Sequence, residues 1–221
     1  EMRVSPTQSG DPLRDRMILS KGHCMEAYYA VLCERGFLDY RDVLQGIGTF
    51  GTPYIGHPNC HLNGVEVNSG SLGHGLPLGC GYAMAAKLQG DSYRTYVIMG
   101  DGEQGEGSLW EAAAFAAHKK LDNLVAILDE NSLQINGRTC DVCKPTDFEG
   151  RYASFGWAVR SVDGNDVGAL YDALAAVPFE TGKPSLIVAK TTKSKGVSFL
   201  EDQAKYHHWN PNKEDADRAL A

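Results

Sequence analysis

The stretch YRTYVIMGDGEQGEGSLWEAAAFAAHKKLDNLVAILDEN, residues 93–131, decides the fold. It opens with a short apolar strand, residues 93–99. An alanine-rich helix follows over 108–120, then a second apolar strand over 124–128. Strands alternating with helices of this length predict βαβ units and a parallel sheet. Downstream the alternation continues, with a helix at 146–155, a strand at 157–162, a helix at 166–176 and a strand at 185–189. Upstream, residues 78–88 read as a small-residue helix, and residues 46–75 as an ordered, irregular, glycine-rich loop. Residues 23–35 read as a helix stopped by Gly36. Residues 1–20 are polar and turn-rich, with Pro6, Gly10 and Pro12, and the tail from Glu201 is polar and ends in a short charged helix. No repeat or linker divides the chain. The expected fold class is α/β: one domain over 1–221, a mostly parallel sheet with helices on both faces.

The 221 residues suffice for a full core without covalent staples. A net charge of -7 argues against nucleic acid and anionic membranes as partners. No apolar run approaches the ~20 residues that cross a bilayer. No signal-peptide pattern opens the chain, and Glu1 in place of an initiator methionine leaves room for residues upstream. The cysteines (24, 33, 60, 80, 140 and 143) are scattered, which predicts a reduced cytoplasmic protein. Cys140 and Cys143 form a lone CxxC. A zinc site needs two more ligands, none is evident nearby, and two thiols in a loop is the plainer reading.

Gly100-Asp101-Gly102-Glu103 directly follows the strand at 93–99. Parallel sheets bind ligands beyond the carboxyl ends of their strands, so a carboxylate there faces a crevice. The flanking glycines let backbone approach a ligand, and the helix beginning near Ser108 aims its N-terminus at the same region, which suits a pyrophosphate. The next strand ends in Asp129-Glu130-Asn131. Asp101 and Asn131 then fall at neighbouring strand ends and offer hard oxygens to Mg2+ or Ca2+. Each motif alone reads as an ordinary turn or loop. The pair at matching strand ends favours a metal–pyrophosphate site.

GDGE, the following WEA and Asn131 in DENSLQINGRT resemble the thiamine diphosphate motif of transketolases. Ser20-Lys21-Gly22-His23, Gly56-His57-Pro58 and Gly70-Ser71-Leu72-Gly73-His74-Gly75 are similar to three further elements of that family. So is the run from Lys190 to Gly196, followed by Glu201-Asp202 and His207. The resemblance covers nearly the whole chain and implies the pyrophosphate domain of the thiamine diphosphate-binding fold. It implies thiamine diphosphate and Mg2+ (or Ca2+) as cofactors, with Asp101, the Asn131 side chain and the Leu133 carbonyl on the metal. Gly102 and Glu103 are implied against the diphosphate, and Gly70, Ser71 and Leu72 along the cofactor cleft with Lys21 and Lys193 near it. His23, His57 and His207 fall on positions that line the substrate channel and contact sugar hydroxyls or cofactor. Histidine suits proton transfer at alcohol oxygens because it titrates near neutrality. The sequence departs from the pattern at His74, where the family has Gln, and at Tyr206-His207-His208, where it has Trp-His-Gly. Glu106 and Glu111 match acids of a carboxylate chain between paired active sites, although Glu111 also reads as a solvated helix residue. His118 reads as packed or capped, and His61 carries no motif.

The implied reaction moves a two-carbon ketol unit from a ketose (phosphate) to an aldose. The family's pyrimidine-binding domain, with the glutamate that activates the cofactor, has no counterpart in these 221 residues, nor has a histidine that precedes the SKGH element. That pattern is similar to split transketolases, so a second subunit with the pyrimidine-binding and C-terminal domains is expected, in a heterotetramer. Two rival readings stand beside this one. One is another thiamine diphosphate enzyme, of the deoxyxylulose-phosphate synthase or 2-oxoacid dehydrogenase type. The other is a non-catalytic cofactor-binding subunit.

Overall fold

A computed structural model describes residues 2–143 and 147–221. In chain order its elements are β1 (Arg16–Leu19), α1 (Met25–Glu34), α2 (Tyr40–Gly46), α3 (Gly75–Gln89), β2 (Thr95–Gly100) and α4 (Gly107–His118). They continue with β3 (Leu124–Glu130), β4 (Leu133–Gln134), β5 (Gly137–Arg138), α5 (Thr139–Val142), α6 (Phe148–Ser154), β6 (Ala158–Asp163), α7 (Val167–Ala175), β7 (Ser185–Lys190) and α8 (Lys213–Leu220). Five strands form one parallel sheet in the order β1-β2-β3-β7-β6. The short β4–β5 pair is an antiparallel hairpin.

The strands alternate their side chains between two apolar layers, as a pleat requires. Ile18, Val97, Met99, Leu124, Ala126, Leu128, Leu186 and Val188 share a cluster with residues of α3, α4 and α6. On the opposite face Leu19, Met17 and Ile98 pack with α1 and α2, while Tyr96, Val125, Ile127 and Ile187 pack with α7. Helices on both faces of a parallel sheet are as expected from the alternation of the sequence. Close packing of α3 on β2 needs Gly79, where a Cβ would stand 2.5 Å from Val97 Cγ2.

The expected strands and helices from residue 93 onward are present, with ends shifted by a residue or two. The start of the helix expected at 146 lies outside the described residues. Upstream the reading needs correction. Residues 16–19 are not loop but the edge strand β1, too short to show a period. Residues 40–46 form α2, capped by Asp39, whose carboxylate accepts from the Arg41 and Asp42 amides. A single 3-10 turn, Gly22–Cys24, precedes α1. Helix α3 starts at Gly75, three residues before the expected start.

What positions the site is the common level at which the strands stop. Leu19 lies opposite Ile98, Gly100 opposite Asp129, and Glu130 opposite Lys190. Residues that follow β1, β2, β3 and β7 therefore meet along one edge of the sheet.

Candidate active site

Asp101 leaves the end of β2 and its amide donates to the Asp129 carbonyl at 3.2 Å. Its side chain is only 3% exposed. Oδ1 accepts from the Gly102 amide at 2.7 Å; Oδ2 accepts from the Ser132 amide at 2.6 Å and the Thr139 hydroxyl at 3.4 Å. These donors are neutral, and among the described residues Asp101 forms no ion pair. Burial pushes its carboxyl above the usual range. A buried carboxylate without a cation is costly, and a divalent ion removes that cost. Asn131 Oδ1 accepts from the Leu133 amide at 3.0 Å, and its Nδ2 donates to Asp129 Oδ2 at 3.3 Å. One short loop thus carries Asn131 and Leu133 past Asp101, with Ser132 at φ +62. Gln134 Oε1 is buried without a partner among the described residues, and Gln134 packs so near Gly102 that a Cβ there would come within 2.9 Å. No group of three His, Cys, Asp or Glu side chains clusters as a metal site among the described residues. The Asp101 set is different in kind: one carboxylate plus amide and carbonyl oxygens, the donors a hard cation takes.

Beside it lies a cationic patch. Lys21, following β1, is ion-paired with Asp129, and the Thr191 hydroxyl donates to the same carboxylate. Burial would raise Asp129, but Lys21, Thr191 and Asn131 together hold it below the usual carboxylate range. Lys193, burdened by burial and by the Lys21 charge, is pushed below the usual lysine range. Lys21 and Lys193 both feel the Asp129 and Asp101 carboxylates, and their ammonium groups are the cationic side of the site.

The glycine loop forms the next wall. Gly70 has φ +130, and a Cβ there would strike the His57 ring at 2.7 Å. Glu103 is turned inward and is 3% exposed. It accepts from the Ser20 hydroxyl, the Gly73 amide at 2.8 Å and the Gly100 amide at 3.1 Å. Ser20 in turn accepts from the Gly75 amide at 3.1 Å. This corrects the expected place of Glu103 against a diphosphate. Its carboxylate is taken up inside the protein, where it joins the ends of β1 and β2 to the glycine loop.

Four imidazoles line the opening. His23 and His57 meet edge to face with centroids 4.8 Å apart, and His207 and His208 stand 5.4 Å apart. Burial, then Lys193, His208, Lys21 and His23, push His207 down to about 4. Its Nδ1 is buried and has no partner among the described residues. Burial and the neighbouring His57 and His208 lower His23 as well. Both rings are therefore neutral at pH 7.

Lys21, His23, His57, Asp101, Asn131, Lys193 and His207 thus come together at the strand ends. Gly70 and Gly102 reach the same place, with Leu133 opening the hairpin, Ser71 exposed and Leu72 half-buried on the glycine loop. Glu106 and Glu111 do not join the histidines. Glu106 caps α4 without a side-chain bond and packs against Gly73, and Glu111 is exposed on the same helix. His118 is exposed in the last turn of α4. His74 Nδ1 lies 3.0 Å from the Leu72 carbonyl, so the substituted residue bonds within its own loop. Cys140 and Cys143 are exposed, on α5 and just past it. Sequence reasoning misses Asp129 and Thr191. Asp129 stands at the end of an evident strand, but its pairing with Lys21 spans 108 residues and leaves no local signal.

Comparison with known proteins gives the chain's family. Residues 1–219 match the family described as "Transketolase, thiamine diphosphate binding domain". The chain is 46% identical over 219 residues to an apulose-4-phosphate transketolase subunit of Phocaeicola vulgatus, covering 99% of this chain and 78% of that one. It is 36% identical over 208 residues to the 6-deoxy-6-sulfo-D-fructose transketolase subunit SqwG of a Clostridium species, covering 94% of this chain and 75% of that one. The structure superimposes on transketolase from Campylobacter jejuni with a TM-score of 0.93 and 31% identity, over 99% of this chain and 35% of that one. The chain spans about a third of the length of the solved transketolases it matches.

Proposed function

The chain belongs to the transketolase family, as its thiamine diphosphate-binding domain, and we propose that it is the cofactor-anchoring subunit of a split transketolase, a transferase that moves a two-carbon ketol unit from a ketose to an aldose. The observation that carries this is the meeting of a buried Asp101, which forms no side-chain ion pair among the described residues, with Lys21, Lys193 and the histidines at one edge of the sheet. Relatives that this chain covers over three quarters of their length are themselves named as transketolase subunits, which supports a partner chain carrying the pyrimidine-binding and C-terminal domains. Two copies of each give the heterotetramer.

Thiamine diphosphate supplies the carbon centre at which the C–C bond is cleaved. The chain's own residues do the rest. Asp101, Asn131 and the Leu133 carbonyl would hold Mg2+ (or Ca2+), which would offset phosphate charge there. Lys21 and Lys193 balance phosphate charge, and Gly70, Ser71, Leu72 and Gly102 let backbone lie close to the ligand. His23, His57 and His207 bond sugar hydroxyls and relay protons there. A neutral His207 with a pKa of about 4 is a weak base. An anion that neutralises Lys21 and Lys193 removes part of what lowers it, so the ring becomes a better base once the site is filled. Glu106 and Glu111 extend a carboxylate chain toward a second copy. The substrates are sugar phosphates or related sugars, with the branched and sulfonated sugars named for its relatives first on the panel, and the working compartment is the cytoplasm.

The test is a ketol-transfer assay on the reconstituted pair, with ketose phosphates, a branched ketose phosphate, a sulfoketose and pyruvate as donors. Turnover of a ketose is expected. Turnover of pyruvate alone would assign the chain to a different class of thiamine diphosphate enzyme. No cofactor binding by calorimetry would remove the catalytic reading altogether.

A further inference from the structure

The segment that carries His207 is tied across to the hairpin that carries Leu133. We infer that Arg138 and Asp202 form a latch that positions Lys193 and His207 against the Asp101–Asn131 site. Both are positioning residues, and the inference rests on the function proposed above.

Arg138 ends β5, and its guanidinium grips Asp202 with two bonds, Nη1 to Oδ1 at 2.7 Å and Nη2 to Oδ2 at 2.5 Å. Such bidentate pairing fixes direction as well as distance. The residue after Arg138 is Thr139, whose hydroxyl donates to Asp101 Oδ2 at 3.4 Å and whose amide donates to the Ser132 carbonyl at 3.0 Å. The hairpin is thus held to the metal carboxylate on one side and to Asp202 on the other.

Asp202 works from two ends. Its carboxylate takes Arg138, and its amide donates to the Lys193 carbonyl at 3.1 Å. Two residues on, the 3-10 turn Ala204–Tyr206 begins, and the His207 amide donates to the Ala204 carbonyl at 2.9 Å. Lys193 and His207 therefore depart from one node. Asp202 has φ +56, a left-handed conformation that Asp and Asn adopt more readily than other non-glycine residues. Four non-glycine residues have positive φ among those described; three of them, Ser132, Ser194 and Asp202, lie in the segments joined here. At the two serines this conformation costs more and persists where surrounding contacts hold it. The rest of the segment has contacts of its own: Leu200 is buried, Phe199 and Tyr206 meet Trp209 edge to face, and the Gly196 amide donates to Glu201 Oε1 at 2.9 Å. It can move as a piece, and the latch sets where that piece sits.

The test combines hydrogen-exchange mass spectrometry with calorimetric titration of thiamine diphosphate in the presence of Mg2+, both on the full chain. The variants are Arg138→Ala, Asp202→Asn and the double change. Asn also tolerates the left-handed backbone, so Asp202→Asn removes the charge and leaves the conformation. Each single change is expected to speed exchange over 197–209, leave the sheet strands protected, and weaken cofactor binding by about fivefold, the range of an exposed ion pair. The double change should be no worse than either single one, because one interaction is lost in each case. High salt should bring the wild type toward the variants. Unchanged exchange, unchanged affinity despite faster exchange, or additive losses would each overturn the latch. A wild-type chain that binds no cofactor fails the proposed function instead, and the exchange pattern separates the two failures.

Discussion

Asp101 and His207 are set by opposite penalties, and each makes a prediction of its own. Burial makes the Asp101 carboxylate costly to ionise, and the donors it meets among the described residues are neutral. Asp101→Ala should therefore abolish the Mg2+-dependent part of thiamine diphosphate affinity while the circular dichroism of the fold stays unchanged; retained affinity would remove the metal assignment. For His207 the burial and the cations beside it favour the neutral ring and bring its pKa from 6.5 to about 4. A base depressed in this way takes up its proton more readily in the unfolded chain. Its contribution to stability is thus present above pH 6.5 and lost as the pH falls from there toward about 4. The difference in stability between wild type and His207→Gln should be flat above pH 6.5 and shrink steadily below it, as read by denaturant titration at each pH. In the sugar pocket, His57→Ala should lower kcat/KM for the ketose at near-constant cofactor affinity, whereas His118→Ala, out on the surface of α4, should do little. A larger effect at His118 would mean that the roles assigned to these histidines are wrong.

At the scale of elements, the site depends on how loops are fastened to one another. Glu103 joins the end of β1, the end of β2 and the glycine loop through Ser20, Gly100 and Gly73. Glu103→Ala would strand those buried donors and should cost about 3 kcal/mol or more, since each unsatisfied group carries a penalty of about 1–3 kcal/mol. Glu103→Gln should recover part of that loss. If Glu103→Ala instead left the melting temperature unchanged and weakened only cofactor binding, the residue would face the ligand after all. The same residue marks how far the sequence can be read. The βαβ rhythm from residue 93 onward is legible because apolar strands and an alanine-rich helix carry distinct periods. Asp101 and Asn131 are legible because strand ends in a parallel sheet face a crevice. The direction of the Glu103 side chain is not, since GDGE gives the same letters whichever way the carboxylate turns. β1 escapes because four residues show no period, and the β4–β5 hairpin because two-residue strands are set by tertiary contacts such as Asp101 with Ser132. Partners far apart in sequence, such as Lys21 with Asp129 or Arg138 with Asp202, exist only once the sheet has brought their loops together.

For the whole molecule, the proposed function carries dependence on a partner chain. On that proposal Asp101, Asn131, the glycine loop and the Lys21–Lys193 pair would anchor the diphosphate end of the cofactor. The far end needs a buried glutamate to assist loss of a proton from the thiazolium carbon. The carboxylates beside the described cleft are committed elsewhere. Asp129 is paired with Lys21, Glu103 is enclosed by amides and a hydroxyl, and Glu106 and Glu111 lie out on α4. Segments on either side of the glycine loop also show apolar surface to solvent: Phe50 is fully exposed, Ile55 just before the Gly56-His57 turn is 49% exposed, and Leu78 in the first turns of α3 is 42% exposed. Exposed apolar surface favours association. The expected behaviour is graded. Alone, the chain should bind Mg2+ and thiamine diphosphate weakly and transfer no ketol unit. With a partner that brings the pyrimidine-binding domain, cofactor affinity and turnover should rise together, and light scattering should report two copies of each chain. Fast ketol transfer by the purified chain alone would refute the split arrangement. Tight cofactor binding without turnover would leave the anchor in place and put the missing proton relay in the partner.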